Sequence, residues 1–130
     1  MARIGAVKLG VIEIVLQMRD GYVLGLTNRE FRDLISESIG RDVYSDAFDL
    51  KGTSKANRLR TLLEIETAEK AGRALDSLME YGEAFGQLGG NDDQRRIVRE
   101  LAGQLQGRLV QEAQDNGGYA GAFEDGYFRD

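Results

Sequence analysis

Residues 52–60 read Gly52-Thr53-Ser54-Lys55-Ala56-Asn57-Arg58-Leu59-Arg60 and run directly into Thr61-Leu62-Leu63. Thr53 and Ser54 are residue types that open a helix by accepting a backbone N–H from its first turn. Leu59, Leu62 and Leu63 then fall at three- and four-residue spacing, the period of one inward helix face. The stretch is therefore a capped amphipathic helix, and Lys51, Lys55, Arg58 and Arg60 crowd its start. The first amides of a helix carry partial positive charge, so these cations with Ser54 make a candidate anion or partner site. A plainer account is a solvated face in which Arg58 and Arg60 pair with Glu64, Glu66 or the acidic Asp42 to Asp49 loop. Surface pairs of that kind contribute only about 0–1 kcal/mol.

The same period extends in both directions. Upstream, Leu26-Thr27-Asn28-Arg29-Glu30-Phe31 has Thr27 and Glu30 at capping-box spacing and Leu26 and Phe31 as a staple, so a helix starts at Asn28. Its inner face is Phe31, Leu34 and Ile35, and Gly40 is its stop. Before it, Val7, Val11, Ile12, Val15 and Met18 predict a first helix ended by Asp20-Gly21. A strand is the competing reading of the β-branched run Val11 to Leu16. Between Arg41 and Gly52 the sequence predicts an ordered loop or one helical turn held by its aromatics.

Downstream, Thr67 caps a fourth helix carrying Ala71, Leu75, Leu78 and Met79. After Gly89-Gly90 a fifth begins near Asn91 or Asp92, with Val98, Leu101, Leu105 and Leu109 along one stripe. Arg95, Arg96 and Arg99 near its start oppose the helix dipole, which acidic neighbours such as Glu100, or a partner, explain. Past Asp115-Asn116-Gly117-Gly118, Tyr119, Phe123, Tyr127 and Phe128 stand among acidic and small residues with no helical stripe. The expected architecture is all-α: a compact bundle of about five helices over residues 1–114, then a short aromatic, acidic tail over 115–130. That tail either orders on a partner or folds back onto the helices.

A chain of 130 residues buries roughly two thirds of its unfolded surface and needs no staple. It contains no cysteine, histidine or proline. Thiol and imidazole chemistry are thereby excluded, along with disulfides and the commonest zinc ligands. Asp42, Asp46 and Asp49 lack the glycine and terminal glutamate of a calcium loop. Gly52-Thr53-Ser54-Lys55 lacks the earlier glycine and preceding strand of a P-loop. No carboxylate pair is singled out by spacing. The reading is a non-enzymatic chain with no cofactor or metal. Arg3, Lys8 and Glu13 interrupt the apolar run near the amino terminus, so neither a membrane span nor a leader is expected and the chain reads as cytoplasmic. The net charge of −5 opposes nonspecific nucleic-acid binding over the whole surface.

Gly21-Tyr22-Val23-Leu24, then Leu26 to Phe31, then Gly52 to Arg60, then Leu75 with Leu78 and Met79 form an ordered set. Over Val11 to Tyr81 it resembles the amino-terminal region of bacterial abortive-infection-family proteins. In that family the region precedes a separate carboxy-terminal domain and is associated with defence against bacteriophage. The resemblance implies a helical protein-interaction module, an adaptor or self-associating domain, with a protein partner or homo-oligomer. It carries over no active-site residue. One long helix and the tail stand here where that domain is expected, which fits a stand-alone adaptor, a fragment or a phage-encoded relative. The alternatives are nucleic-acid binding through Lys51, Lys55, Arg58 and Arg60 with Arg95, Arg96 and Arg99, or a phage-encoded inhibitor or assembly protein.

Overall fold

Side-chain caps decide where most of the helices begin. In the computed structural model, which describes residues 4–107, Thr27 accepts from the Glu30 amide at 3.1 Å. The Glu30 carboxylate accepts from the Thr27 amide at 2.9 Å, completing the box that opens α2 (Asn28–Ile39). Ser54, rather than Thr53, accepts from the Asn57 amide at 3.1 Å and opens α3 (Lys55–Ile65). Thr67 opens α4 (Ala68–Phe85), and Asn91, in a second box with Gln94, opens α5 (Asp92–Leu105). α1 (Ala6–Val15) has no side-chain cap. Short 3-10 turns at Arg19–Gly21 and Asp46–Phe48 complete the regular structure, and no strand occurs among the described residues.

α4 lies between α2 and α5, α1 packs on α5, and α3 is braced by the two 3-10 turns. The core joins Ile12 and Val15 of α1, Phe31 and Ile35 of α2, Leu59 and Leu62 of α3, Leu75 and Leu78 of α4, and Val98 of α5. Each such side chain contributes about 1.5–3 kcal/mol on full burial. Val43 and Phe48 bury the 41–52 loop against this core, whereas Leu50 faces solvent.

The first helix departs from the expected Val7 to Met18. It ends at Val15, where Gln17 N–H bonds Ile14 O at 3.2 Å and Met18 N–H bonds Glu13 O at 3.0 Å. This is a Schellman closure with Gln17 at φ 51°, a position that normally takes glycine. Beyond that end Leu16 and Met18 are still buried, from an irregular segment rather than from a helix face. Val7, assigned by its spacing to the inner face, is 83% exposed. Leu109 of the fifth-helix stripe, the boundary near residue 114 and the tail residues Tyr119, Phe123, Tyr127 and Phe128 lie outside the described residues.

α4 and α5 meet closely at Gly72, where a Cβ would stand 2.7 Å from Ala102 O. A backbone carbonyl cannot rotate away as a side chain can, so Gly72→Ala must separate the helices. The expected loss is about 2 kcal/mol of stability, measured as a lower urea midpoint by circular dichroism.

Candidate functional site

The structure disperses the basic cluster around α3. Lys51 pairs with Glu64 at 2.8 Å, and Arg60 reaches across to Glu13 of α1 at 2.8 Å. Arg58 points inward and is 9% exposed. Its guanidinium donates to Thr53 O at 3.2 Å, Val43 O at 3.1 Å and Ser45 O at 3.2 Å, with the Tyr44 ring 4.8 Å away. It therefore engages the backbone of the acidic loop, not the loop's carboxylates. Arg41 takes Glu66 instead, and its guanidinium stacks 4.9 Å from the Phe48 ring centroid. On α5, Arg95 donates to Leu88 O and Gly89 O, both at 3.0 Å, while Arg96 pairs with Asp93 and Arg99 with Glu83. The two groups of cations are thus engaged within the fold rather than presented as one face.

Lys55 is the exception near Ser54. Its Nζ lies 3.2 Å from Asn28 Oδ1 and 5.2 Å from the Tyr22 ring centroid, so no carboxylate neutralises it there. Asn28 Oδ1 also accepts from the Tyr44 hydroxyl at 3.0 Å. Gly21 packs on Ser54, where a Cβ would meet the Ser54 Cβ at 3.0 Å. The stretches Gly21 to Leu24 and Gly52 to Arg60, distant in sequence, thereby come together.

Beside their junction lies an open groove of about 710 Å³. α1 supplies Gly10, Glu13 and Ile14; its exit supplies Gln17, Met18, Arg19, Tyr22 and Gly25. Arg60 and the link at Gln87, Gly89 and Gly90 close the other sides. The link is fastened to α1 by Gly89 N–H to Val15 O at 2.8 Å and by the Gln17 side-chain amide to Gln87 O. Gly89 permits this approach, since a Cβ there would stand 2.5 Å from Ile14 O. The wall from Gln17 to Leu24 holds Gln17, Asp20 and Leu24 at φ 51°, 59° and 52°. Such residues cost about 1–3 kcal/mol each and persist where surrounding structure imposes them. Ile14 and Tyr22, 49% and 57% exposed, are the apolar contacts on offer.

The chain matches no family model, and neither a curated protein nor a solved structure matches it. Of the residues nominated from sequence, the structure brings Ser54, Lys55 and Arg60 to the vicinity of the groove and keeps Arg95, Arg96 and Arg99 on α5. Glu13, Ile14, Gln17, Arg19 and Tyr22 were not nominated. One signal for them was present: α1 carries apolar residues on more sides than one buried face consumes.

Two outcomes follow from the Arg58 cluster. Arg58→Met leaves three carbonyls without their donor and costs about 3 kcal/mol or more, against about 0.5 kcal/mol or less for Lys51→Met, both read by urea unfolding. Burial pushes the Tyr44 phenol above its ordinary 10.0, against the opposing effect of Arg58 and Arg32. The folded state therefore holds that proton more tightly, and the resulting stability is complete below about pH 10 and lost as pH rises through the folded value. Tyr44→Phe removes this component, so the fall in urea midpoint between about pH 9 and about pH 11 is shallower than in the parent.

Proposed function

We propose that this chain is a non-catalytic helical interaction module that docks a protein partner across the outer face of α1 and the adjoining groove. One observation carries the reading. Val7, Gly10, Val11 and Ile14 follow one another at helical spacing on a single side of α1; Val11 is partly buried against the core, but Val7 and Ile14 are exposed, and that side runs into the groove. An apolar helix side left facing water is the usual mark of a surface that another molecule covers. The setting in bacterial phage defence, as an adaptor or self-associating domain, is supported by the resemblance over residues 11–81. No described helix is long and apolar enough to cross a membrane. Nucleic-acid binding is the weaker reading, because most of the cations it would use already hold carboxylates or backbone carbonyls.

The test compares immobilised parent chain with Ile14→Asp and with Leu50→Asp, an exposed apolar control on the 41–52 loop. Capture of a defence-system effector, or of a second copy, should weaken by about 2 kcal/mol or more for Ile14→Asp. Leu50→Asp should bind like the parent, and both variants should keep parental helicity by circular dichroism. Equal capture by all three chains would remove α1 as the docking face.

A further inference from the structure

The groove specifies the chemistry of what fits it. Its floor is cut into α1 at Gly10, where a Cβ would meet nothing within 4 Å. Glycine inside a helix costs about 1 kcal/mol relative to alanine, and no neighbour among the described residues requires it here. A side chain laid directly on the backbone would require it. Ile14 and Tyr22 flank that point with exposed apolar surface. Beyond them Arg60 is already paired with Glu13, and two further cations stand beside Tyr22. Arg19 makes no ion pair among the described residues, and Lys55 faces only the neutral Asn28 amide and the Tyr22 ring. The matching ligand is a peptide with aromatic side chains for the floor and carboxylates beside them for Arg19 and Lys55.

We infer that the occupant is the chain's own carboxy-terminal segment, residues 119–130, docked in cis; this rests on the reading of the groove as a docking site. The segment places Tyr119, Phe123, Tyr127 and Phe128 beside Glu124, Asp125 and Asp130, against the single cation Arg129. It is complementary to the groove in both apolar character and charge. The reach is sufficient. α5 runs antiparallel to α1, with Gly89 and Gly90 before its start against Ile14 and Val15, and Leu105 at its end beside Val7 and Lys8. The described chain thus ends near the opposite end of α1 from the groove, about 15 Å away by helical rise. Residues 108–118 span up to about 36 Å when extended. Tethering makes this ligand's effective concentration about millimolar, so an external partner has to displace it, and the segment sets the threshold for docking.

The absence of cysteine allows a single nitroxide to be placed at Ala122→Cys in the full chain. In its ¹⁵N spectrum, the amides of Gly10, Gln17 and Tyr22 should lose most of their intensity, and reduction of the label should restore it. The loss should be independent of concentration and should not transfer to unlabelled ¹⁵N chain mixed with spin-labelled ¹⁴N chain. Adding Arg19→Glu and Lys55→Glu should return most of the intensity. Sharp groove amides, broadening centred elsewhere, broadening indifferent to the charge reversals, or broadening that appears only between molecules would each overturn the inference. Sharp groove amides together with partner capture still lost in Ile14→Asp would leave the docking reading intact. Broadened groove amides with capture unaffected by Ile14→Asp would instead remove that reading.

Discussion

The guanidinium of Arg58 is the fixed point from which the surroundings of the groove are built. Arginine stays charged at any ordinary pH and carries five donors in a planar fork, so it can be buried only where acceptors converge on it. Here the acceptors are the carbonyls of Val43, Ser45 and Thr53, with the Tyr44 ring alongside. One side chain on the first turn of α3 therefore holds both ends of the loop preceding that helix. Arg41 with buried Glu66 fastens the beginning of the same loop to the far end of α3. With the loop held at both ends of the helix, the Ser54 cap has a defined position. Gly21 packs on Ser54, Lys55 overlies Tyr22, and Arg60 meets Glu13.

Arg95 repeats the device on the other side. By donating to Leu88 O and Gly89 O it holds the link between α4 and α5 against the end of α1. In a chain without proline, rigid turns cannot be obtained from a locked φ. They are obtained here from cations that bind carbonyls and from positive-φ residues at Gln17, Asp20 and Leu24. Arginine used in this way loses its value as a docking charge, because its donors are already occupied. The cations available to a ligand are then set by which side chains the loops leave over, and Arg19 and Lys55 are such residues.

This division explains what could be read from the sequence. Capping is local chemistry, so Thr27 with Glu30, Thr53 or Ser54, Thr67, and Asn91 or Asp92 marked helix starts, of which the structure uses Thr27, Ser54, Thr67 and Asn91. The inward faces of α3 and α4 followed from periodicity for the same reason. The end of α1 did not, because the turn at the left-handed Gln17 is held by bonds from afar, the Gln17 side-chain amide to Gln87 O and the Leu24 N–H to Leu16 O. The basic residues were legible as charges but not as partners. Nothing local in Gly52 to Arg60 tells Arg58, which turns inward to carbonyls, from Arg60, which crosses to Glu13. The groove was hidden because its lining comes from three separated stretches, residues 10–25, Arg60 and residues 87–90.

The energetic character of α1 connects these observations to binding. A helix that is apolar on nearly every side is ordinarily enclosed, yet α1 buries Ile12 and Val15 while leaving Val7 and Ile14 in water. It also carries Gly10 on that open side, where folding alone would favour alanine. The wall beside it holds residues in conformations that local preference opposes. Each of these features is unfavourable for the isolated helix and favourable for a molecule laid across it. The groove is already shaped before contact, so little further ordering on this side opposes binding. A ligand that covers Ile14, Gly10 and Val7 together gains apolar burial along the whole length of α1. Adding carboxylates near Arg19 and Lys55 then selects among such ligands by charge, which is how a small module without a reactive pocket can still discriminate.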